Sequence, residues 1–536
     1  MQVRLTEQED KICTLLDECT AYIKETEGSQ TSCRIAGGWV RDKLLGLDSN
    51  DIDVALSDMM GVTFATHFVH FCSNVKGLQV KEVAKISSNP EQSKHLETAR
   101  TTVLEYSEDS RIPTRITYGT PLQDALRRDI TINALFYNVH TRTVEDHTGK
   151  GLVDLKQGFI RTPLDPLETF RDDPLRVLRS IRFGARFGFD VDRKLKKAAR
   201  EAEIQEALGL KISKERIGHE SAHVEHIARD PLRALDLLLE LSLYSTVFQA
   251  PQSAASSQSL EPVNHALAAG SIFRALCNPD HSPNLTPVHA TLVDPFEKNM
   301  ALRGRLYLAC ALTPYRDITY TDASGKHHPA SEIVIHESLK LGAQHHYLDG
   351  VPWLFRAWKA IAPAVADLAQ GQSPDDRRKI GVFLRQRTIH SPPVIQWEIS
   401  LLFSLVQDLL PFWNPYTNLL DETKASERIA VYNALVTKVE ALGLTAMVDA
   451  KPMLNGREVL GALNAPPGPW VAPVLSSVME WQLDHPEGTK DECLEWLKAE
   501  HAAGNIDMSV PAKPQFKRAS QSVVEEHAAV KRAKPT

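Results

Sequence analysis

The segments of this 536-residue chain that resemble β-strands lie in its first 160 residues. Short apolar stretches there, such as 34–36 and 51–56, are bounded by glycine or polar residues, which is typical of strands. From about residue 165 onward, apolar residues recur every three or four positions, which indicates amphipathic helices. This division predicts an α+β fold: an N-terminal head with a small mixed β-sheet and helices, followed by an extended all-α neck, body and tail.

Five segments are expected from changes in periodicity and composition. In order they are an N-terminal helix, the head, a helical neck, a helical body and tail, and a disordered basic tail: 1–27, 28–163, 164–250, 251–500 and 501–536. Two stretches of the body, near 250–295 and 315–330, are predicted to be loop insertions because they are rich in polar, turn-forming residues. The final segment is polar without apolar periodicity, which predicts disorder.

The charge of the chain limits the kind of nucleic-acid contact it can make. It carries 61 basic and 68 acidic side chains, a net charge of −7. A protein that coats nucleic acid over its whole surface would be strongly basic. Residues 171–200 nevertheless hold ten Lys or Arg against four Asp or Glu. Any contact with RNA is therefore expected along a narrow arginine-lined path, with a modest dependence on salt.

Cysteine usage and hydropathy indicate a soluble intracellular protein. The seven cysteines are an odd number without a C-x-x-C pair, which argues against a zinc site or a disulfide framework. No apolar run approaches the ~18 residues needed to cross a membrane. The acidic N-terminus has neither the apolar core of a signal peptide nor the Arg/Ser bias of a transit peptide.

Asp51 and Asp53 are the first candidates for chemistry. Residues i and i+2 of a strand point to the same face, so these two carboxylates are expected side by side. Such a pair offers hard oxygen ligands for Mg²⁺, and two such ions can clamp the attacking and leaving oxygens of a nucleotidyl transfer. A D-x-D by itself is more often a pair of exposed carboxylates on an edge strand.

The segment Gly37-Gly38 precedes this pair and strengthens the interpretation. Glycine lets backbone amides approach a phosphate chain, and Arg41 in the following helix, predicted over Val40–Leu45, can reach phosphates as a forked donor. The alternative is a plain strand–turn–helix. The combination of G-G-x-V-R-D with a D-x-D nine residues later favours the functional interpretation.

Two further polar clusters are candidates for nucleotide binding. Arg128, Asp129 and Asn133 form the first, in which Arg can meet phosphate and Asp or Asn a ribose hydroxyl. A surface helix with i,i+4 charge pairs explains this cluster equally well. The second cluster recurs every three residues along one predicted helix face, beside an apolar stripe; its members are Asp173, Arg176, Arg179 and Arg182. Taken alone, this second cluster is more often a solvated face.

These motifs together resemble the class II nucleotidyltransferases, which include the CCA-adding tRNA nucleotidyltransferases and the related bacterial poly(A) polymerases. The resemblance covers about residues 28–250, in the order and spacing of the family, and the long insertions resemble the eukaryotic branch. The matching stretches are GGWVRDKLLGLDSNDIDVAL (37–56), NPEQSKHLETA (89–99), DALRRDITINALFYN (124–138), VEDHTGKGLVDLKQGFIRTP (144–163), DDPLRVLRSIRFGARFGF (172–189) and ISKERIGHE (212–220).

The resemblance implies roles for individual residues. Asp51 and Asp53 would be catalytic and hold Mg²⁺, and Lys214 to Arg216 would brace the neck helices. Asp173 and Arg176 would match the base edges of CTP or ATP in place of a template. The residues implied to bind the nucleotide are Gly37, Gly38, Arg41, Arg128, Asp129, Asn133, Asp173, Arg176, Arg179 and Arg182.

The implied activity is the template-independent addition of C, C and A to the 3′ end of tRNA from CTP and ATP, with release of pyrophosphate. Its partners would be the 3′ end and acceptor arm of tRNA and the two nucleotides, with no membrane contact and a monomeric enzyme. The implied location is the cytoplasm or nucleus, and mitochondria through an alternative start.

Two alternatives remain. One is a poly(A) polymerase of the same class. The other is a catalytically impaired tRNA-binding homologue, because the segment around 97–106 is shorter than the family pattern by about one strand. That strand supplies a third carboxylate in the family, for which Glu105 is the available substitute.

Overall fold

The structure is a computed structural model in which twelve stretches of the chain are described. They are residues 3–49, 51–79, 84–86, 98–100, 102–103, 106–107, 120–222, 230–250, 260–278, 282–297, 299–321 and 325–508. The chain divides into two compact units, one within Met1–Phe355 and Val406–Ala425, the other within Arg356–Leu405 and Ser426–Thr536. Every strand among the described residues lies in the first unit.

The strands are short and most pair as local hairpins. They are β1 (Cys33–Ala36), β2 (Asp53–Leu56), β3 (Ala84–Ile86), β4 (Thr98–Arg100), β5 (Thr102–Val103), β6 (Tyr106–Ser107), β7 (Phe136–Asn138), β8 (Thr143–Glu145), β9 (Phe159–Ile160), β10 (Asp190–Val191), β11 (Thr319–Thr321), β12 (His327–Pro329), β13 (Trp413–Asn414) and β14 (Leu419–Leu420).

Helices make up most of the remaining described chain. They are α1 (Glu7–Glu27), α2 (Gly38–Leu44), α3 (Gly61–His70), α4 (Pro121–Leu126), α5 (Gly151–Gln157), α6 (Pro166–Asp172), α7 (Leu175–Phe187), α8 (Arg193–Ala199), α9 (Ala202–Lys211), α10 (Lys214–Ala222), α11 (Pro231–Glu240), α12 (Tyr244–Val247), α13 (Asn264–Cys277), α14 (Ala290–Glu297), α15 (Met300–Ala311), α16 (Ala330–Ile333), α17 (Tyr347–Ile361), α18 (Val365–Gln370), α19 (Asp376–Leu384), α20 (Trp397–Leu409), α21 (Glu422–Ala441), α22 (Gly456–Leu463), α23 (Val471–Asp484) and α24 (Lys490–Ala502).

The sheet of the head has the strand order β2-β1-β7-β8, and each of its pairs is antiparallel. The expected mixed sheet is therefore wrong for these strands. The reason is that α2 and the turn at Gly46 return the chain to the end of β1 that it left, so β2 has to run backward. In the resulting register, Ala36 lies opposite Asp53 on one side and Phe136 on the other.

An N-terminal helix is predicted over 1–27, and α1 spans Glu7–Glu27 and packs against α3 and β1. It begins at a capping box in which Thr6 and Glu9 exchange side-chain and backbone hydrogen bonds. Glu9 is also fully buried, where it accepts from Trp39 Nε1 at 3.1 Å and pairs with Lys43 Nζ at 2.7 Å. Since both partners belong to α2, this carboxylate fixes α2 against α1.

Helix α7 is the central helix of the segment that follows the head. The preceding α6 is capped by the Asp165 side chain and has Pro166 in its first turn, and α7 ends at Gly188, which has a φ of 68°. The apolar side of α7, including Leu178 and Ile181, is buried, and the helix packs against α10 and α11.

The loop insertion predicted near 250–295 is wrong for part of its length, because α13 and α14 lie within it. Within α13, Ala266, Ala269 and Phe273 are buried at helical spacing between turn-rich flanks. The polar, turn-forming residues on either side of α13 outweighed this short run of helical spacing in the sequence, so the helix was not predicted. The second predicted loop, 315–330, contains the hairpin β11–β12.

The C-terminal part of the second unit has an aromatic-rich core. Trp470 and Trp481 are buried there with Cys493 and Leu497, and Trp496 packs against them. The segment predicted to be disordered lies largely outside the described residues, which end at 508. Among the described helices, none combines the length and apolarity required to span a bilayer.

Candidate active site

The turn between β1 and α2 requires glycine at residue 37. Gly37 has a φ of 77° and a ψ of −126°, a conformation that side chains other than glycine rarely adopt. A Cβ atom at this position would lie 2.9 Å from Nη1 of Arg128. Gly37 therefore allows the Arg128 guanidinium to approach the backbone of the turn.

The two aspartates lie beside this turn. Asp53 begins β2 opposite Ala36, whereas Asp51 precedes the strand rather than belonging to it as predicted. The intervening Ile52 is 1% exposed, and both carboxylate residues are exposed. The alternation preserves the shared face expected for the pair and directs it away from the core.

The donor set at this edge consists of hard carboxylate oxygens. Two exposed carboxylates fit Mg²⁺, which keeps several of its water ligands. Among the residues that the structure describes, no group of three or more His, Cys, Asp or Glu is placed to hold a metal ion. The candidate third carboxylate, Glu105, lies outside the described residues.

Arg41 is buried and bound by protein groups. Its Nε and Nη2 donate to the Asp42 carboxylate at 2.8 and 2.9 Å, and Nη1 donates to Asn133 Oδ1. The guanidinium carbon lies 5.1 Å from the ring centre of Phe183 and 4.9 Å from that of Phe187, both in α7. Arg41 thus connects α2 to the later cluster and to α7 instead of projecting from the turn.

Arg128 lies between Asp124 and the glycine turn. Its Nη2 donates to Asp124 at 2.9 Å, and its Nη1 donates to the carbonyl of Asn133 at 3.2 Å. Burial raises the pKa of Asp124, but the charges of Arg128 and Arg127 outweigh this effect, and the pKa is lowered. This charge pairing agrees with the surface-helix alternative for Arg127, while Arg128 also reaches the candidate site.

Asp129 is 8% exposed and joins the head to α7. Its carboxylate accepts from the Ile130 amide at 2.9 Å, from Asn133 Nδ2 at 3.1 Å and from Arg179 Nε at 2.7 Å. Burial raises the pKa of Asp129, but the charge of Arg179 and these hydrogen bonds outweigh it, and the pKa falls to about 2. The same contact raises the pKa of Arg179.

Glu220 of α10 holds the neighbouring arginines. It is 7% exposed, accepts from Arg182 Nε at 2.7 Å, and lies 3.5 Å from Arg179 Nη1. Together with the preceding contacts, it completes a continuous network, buried except at Arg179, that we call the arginine network. Its members are Arg41, Asp42, Asp129, Asn133, Arg179, Arg182 and Glu220.

Asp173 and Arg176, the two residues implied to match the base and here called the base-reading candidates, lie at the N-terminal end of α7. Asp173 follows α6, accepts from the Leu175 amide at 3.1 Å, and pairs with Arg216 Nη2 at 3.1 Å. Arg176 pairs instead with Asp172 at 3.0 Å. The structure therefore brings Asp173 and Arg176 to the same helix start but gives each a separate partner.

Several residues of the site were missed among the sequence candidates. Asp42 and Asp124 lie close in sequence to their arginine partners, so the local R-D and D-x-x-x-R spacing was an available signal. Glu220 and Arg216 lie 38 and 43 residues from Arg182 and Asp173. Both belong to the stretch ISKERIGHE (212–220), of which only Lys214 to Arg216 was given a role, that of bracing the neck; Arg216 instead contacts Asp173 itself.

Comparisons with known proteins place the chain among proteins of similar sequence and fold. The family model described as the poly(A) polymerase head domain matches residues 33–161. The chain is 33% identical to the mitochondrial CCA tRNA nucleotidyltransferase of Candida glabrata, over 93% of this chain and 96% of that one. It is 31% identical to the mitochondrial CCA tRNA nucleotidyltransferase of Saccharomyces cerevisiae, over 93% of this chain and 94% of that one.

A solved structure of a CCA-adding enzyme in complex with CTP has the same fold. Its TM-score is 0.61 at 18% identity, covering 95% of this chain and 97% of that one. The predicted α+β class with a head and a helical remainder is thereby confirmed. Because the sequence similarity extends over nearly the whole of both chains, this chain belongs to the eukaryotic CCA tRNA nucleotidyltransferase family.

Proposed function

We propose that this chain adds C, C and A to the 3′ end of tRNA, using CTP and ATP. The 3′ hydroxyl attacks the α-phosphate of the nucleotide, and the bond to the departing pyrophosphate breaks. The observation that carries the proposal is the Arg179–Asp129 contact at 2.7 Å. It joins the helix that begins beside Asp173 to the head that bears Asp51 and Asp53, so a base-reading group and a carboxylate pair can serve one nucleotide.

Asp51 and Asp53 are proposed to hold Mg²⁺. The ion supplies charge neutralisation at the phosphates and activation of the attacking hydroxyl. The protein contributes positioning, because Asp53 is fixed by the strand register opposite Ala36. Gly37 and Gly38 are proposed to bring the backbone close to the triphosphate, with Arg128 next to the turn.

Arg41 is proposed to act on the nucleotide through its neighbours. Its guanidinium is occupied by Asp42 and Asn133, so its contribution is to hold α2 and Asn133 in place. Asp129 and Asn133 are proposed to lie near the ribose. Since Arg179 and Arg182 are held by buried carboxylates, their guanidinium groups are proposed to be oriented before the nucleotide binds.

Asp173 and Arg176 are proposed to select the base. Asp accepts hydrogen bonds and Arg donates them, so a small movement of the two can match cytosine or adenine. Guanine and uracil present the opposite donor and acceptor groups. Arg216 occupies one oxygen of Asp173, which restricts the directions in which the carboxylate can accept from a base.

The activity is tested with purified full-length chain, a tRNA that ends before its terminal CCA, and CTP with ATP in the presence of Mg²⁺. The expected product is longer by C, C and A, and a tRNA that already ends in CCA is the control that gains nothing. Long runs of A from ATP alone would instead identify a poly(A) polymerase. Binding of tRNA without incorporation at any Mg²⁺ concentration would identify an impaired homologue.

We propose further that the enzyme is a monomer. We also propose that it acts in the cytoplasm or nucleus, and in mitochondria; the two named relatives are described as mitochondrial. Light scattering of the purified chain tests the first proposal. Fractionation of cells that express a C-terminally tagged chain tests the second.

A further inference from the structure

Helix α8 carries an unusually dense group of positive charges. Residues 193–200 have the sequence RKLKKAAR, with five cations and no acidic residue. Leu195, Ala198 and Ala199 are buried beneath the helix. The apolar side of α8 is thereby used for packing, and its charges are left on the outer side.

The five cations fall into two groups. Lys196 pairs with Glu240 at 2.8 Å, and Arg200 lies 3.5 Å from the same carboxylate. Arg193, Lys194 and Lys197 are exposed, and within the described part of the chain no carboxylate lies within ion-pair distance of them. We call these three residues the α8 cations.

The α8 cations share one side of the helix. Arg193 and Lys197 are four residues apart and Lys194 and Lys197 three, so their Cβ atoms are expected about 5–6 Å from one another. This spacing is comparable with the separation of successive phosphates along an RNA strand. The exposed residues of α8 are all cationic, and none of them is apolar. Such a surface suits contacts with phosphates. It is unlike the centre of a protein–protein interface, where lysine is depleted.

Helix α8 is connected to the candidate active site through α6, in the same unit. It packs against α6, whose last residue directly precedes Asp173. Helix α6 is tied in turn to α9 by the Arg171–Glu203 pair at 2.6 Å. The α8 cations thus lie on a helix that packs against the element leading directly into Asp173.

We propose that the α8 cations bind the sugar-phosphate backbone of the tRNA acceptor arm while its 3′ end occupies the active site. This inference rests on the proposed function, because it assigns the acceptor arm as the RNA that approaches α8. The contact is to phosphates and carries no sequence information. It contributes to the binding of tRNA and not to the binding of CTP or ATP.

The test is the variant R193E/K194E/K197E of the full chain. We expect the KM for tRNA to rise at least about tenfold, while the KM for CTP and kcat stay within twofold. The slope of log(kcat/KM) for tRNA against log salt should decrease in magnitude by about two, since each lost phosphate contact contributes about 0.7–0.9. The variant R193Q/K194Q/K197Q should show a smaller change in the same direction.

Folding is not expected to obscure the result. The substituted side chains are exposed, and acidic residues in the first turn of a helix are favourable. The matched control is R4E/K11E/K24E, which changes the net charge equally at exposed positions in or next to α1. Its KM for tRNA should stay within twofold of the wild type.

Each other outcome has a definite meaning. An active wild type with an unchanged KM for tRNA in the α8 variant would overturn the proposal, as would an equal effect from the control. Unchanged tRNA kinetics with loss of an acidic protein partner would assign the face to that partner instead. A wild type that adds no nucleotide to any tRNA would overturn the proposed function itself.

Discussion

The candidate active site contains two sets of acidic side chains that differ in exposure and in partners. Asp51 and Asp53 are exposed at the edge of the head sheet. Asp129 and Glu220 are 8% and 7% exposed and are held by arginines of α7. A carboxylate that exchanges water and substrate around a metal ion needs access to solvent. A carboxylate that fixes an arginine works best where water cannot compete.

The comparison predicts that the two sets fail in different ways when they are altered. Loss of an exposed carboxylate should remove activity and leave folding nearly unchanged. Loss of a buried one should first reduce the free energy of unfolding, because an arginine of α7 loses the carboxylate that holds it.

The largest effect is expected from Asp53→Asn. Incorporation of CMP into tRNA should fall about 10³-fold or more, because several kcal/mol of transition-state stabilisation depend on the metal. The free energy of unfolding in urea should change by less than about 1 kcal/mol, as for other exposed substitutions. The control is Asp48→Asn, which changes an exposed aspartate in the connection between α2 and β2 and should leave the activity unchanged. Near-normal turnover of the Asp53 variant would contradict its metal role.

The next effect is expected from Glu220→Ala. Removing this carboxylate leaves Arg182 buried without its partner at 2.7 Å, which should cost about 3 kcal/mol of unfolding free energy. Urea denaturation followed by circular dichroism measures the change. Glu215→Ala, at an exposed position of the same helix, should cost less than about 0.5 kcal/mol. Equal midpoints for the two variants would show that the arginine network is not a source of stability.

A smaller, pH-dependent effect is expected from Asp129→Asn. The folded pKa of about 2 lies below the ordinary value of 3.8. The ionised carboxylate therefore contributes about 2 kcal/mol above pH 5, which is lost as the pH falls toward 2. The difference in unfolding free energy between wild type and variant should be constant from pH 5 to 7 and drop to about half near pH 3. A difference that does not change with pH would refute the assigned cause.

The smallest effect on stability is expected from Arg176→Ala, since its partner Asp172 is 69% exposed and such pairs contribute little. Unfolding free energy should change by less than about 1 kcal/mol. The ratio of kcat/KM for CTP and ATP should instead change about tenfold, because one donor to the base is lost. Asp172→Asn removes the same ion pair but keeps Arg176, and should leave the ratio unchanged. An unaltered ratio in the Arg176 variant would count against base selection by this residue.

Local features of the fold were predictable from the sequence. A capping box and a regular apolar period indicate helix α1, and the apolar residues before Gly37 indicate strand β1. The antiparallel sheet was not predictable in the same way, because strand direction depends on where α2 returns the chain. Likewise, α13 was concealed because its short apolar period lies between polar flanks.

The sequence indicated which residues belong to the candidate site better than it indicated which partners those residues contact. Arg41 was expected to reach the triphosphate, yet the adjacent Asp42 and the distant Asn133 occupy it. The Arg216–Asp173 and Arg182–Glu220 pairs join residues about forty positions apart, and such partners are determined by helix packing. Charge spacing along one helix indicates which side is polar, but not which residue of another helix lies opposite.

The register between β1 and β2 has a consequence for how this site tolerates sequence change. A one-residue shift of β2 would turn Asp53 toward the core and Val54 toward water, because successive strand residues face opposite sides. Such a shift would bury a charge and expose an apolar side chain at once, and both changes oppose folding. An insertion or deletion inside β2 is therefore expected to reduce the free energy of unfolding of the head, whatever its effect on activity. The stability of the head and the placement of the carboxylate thus depend on the same register.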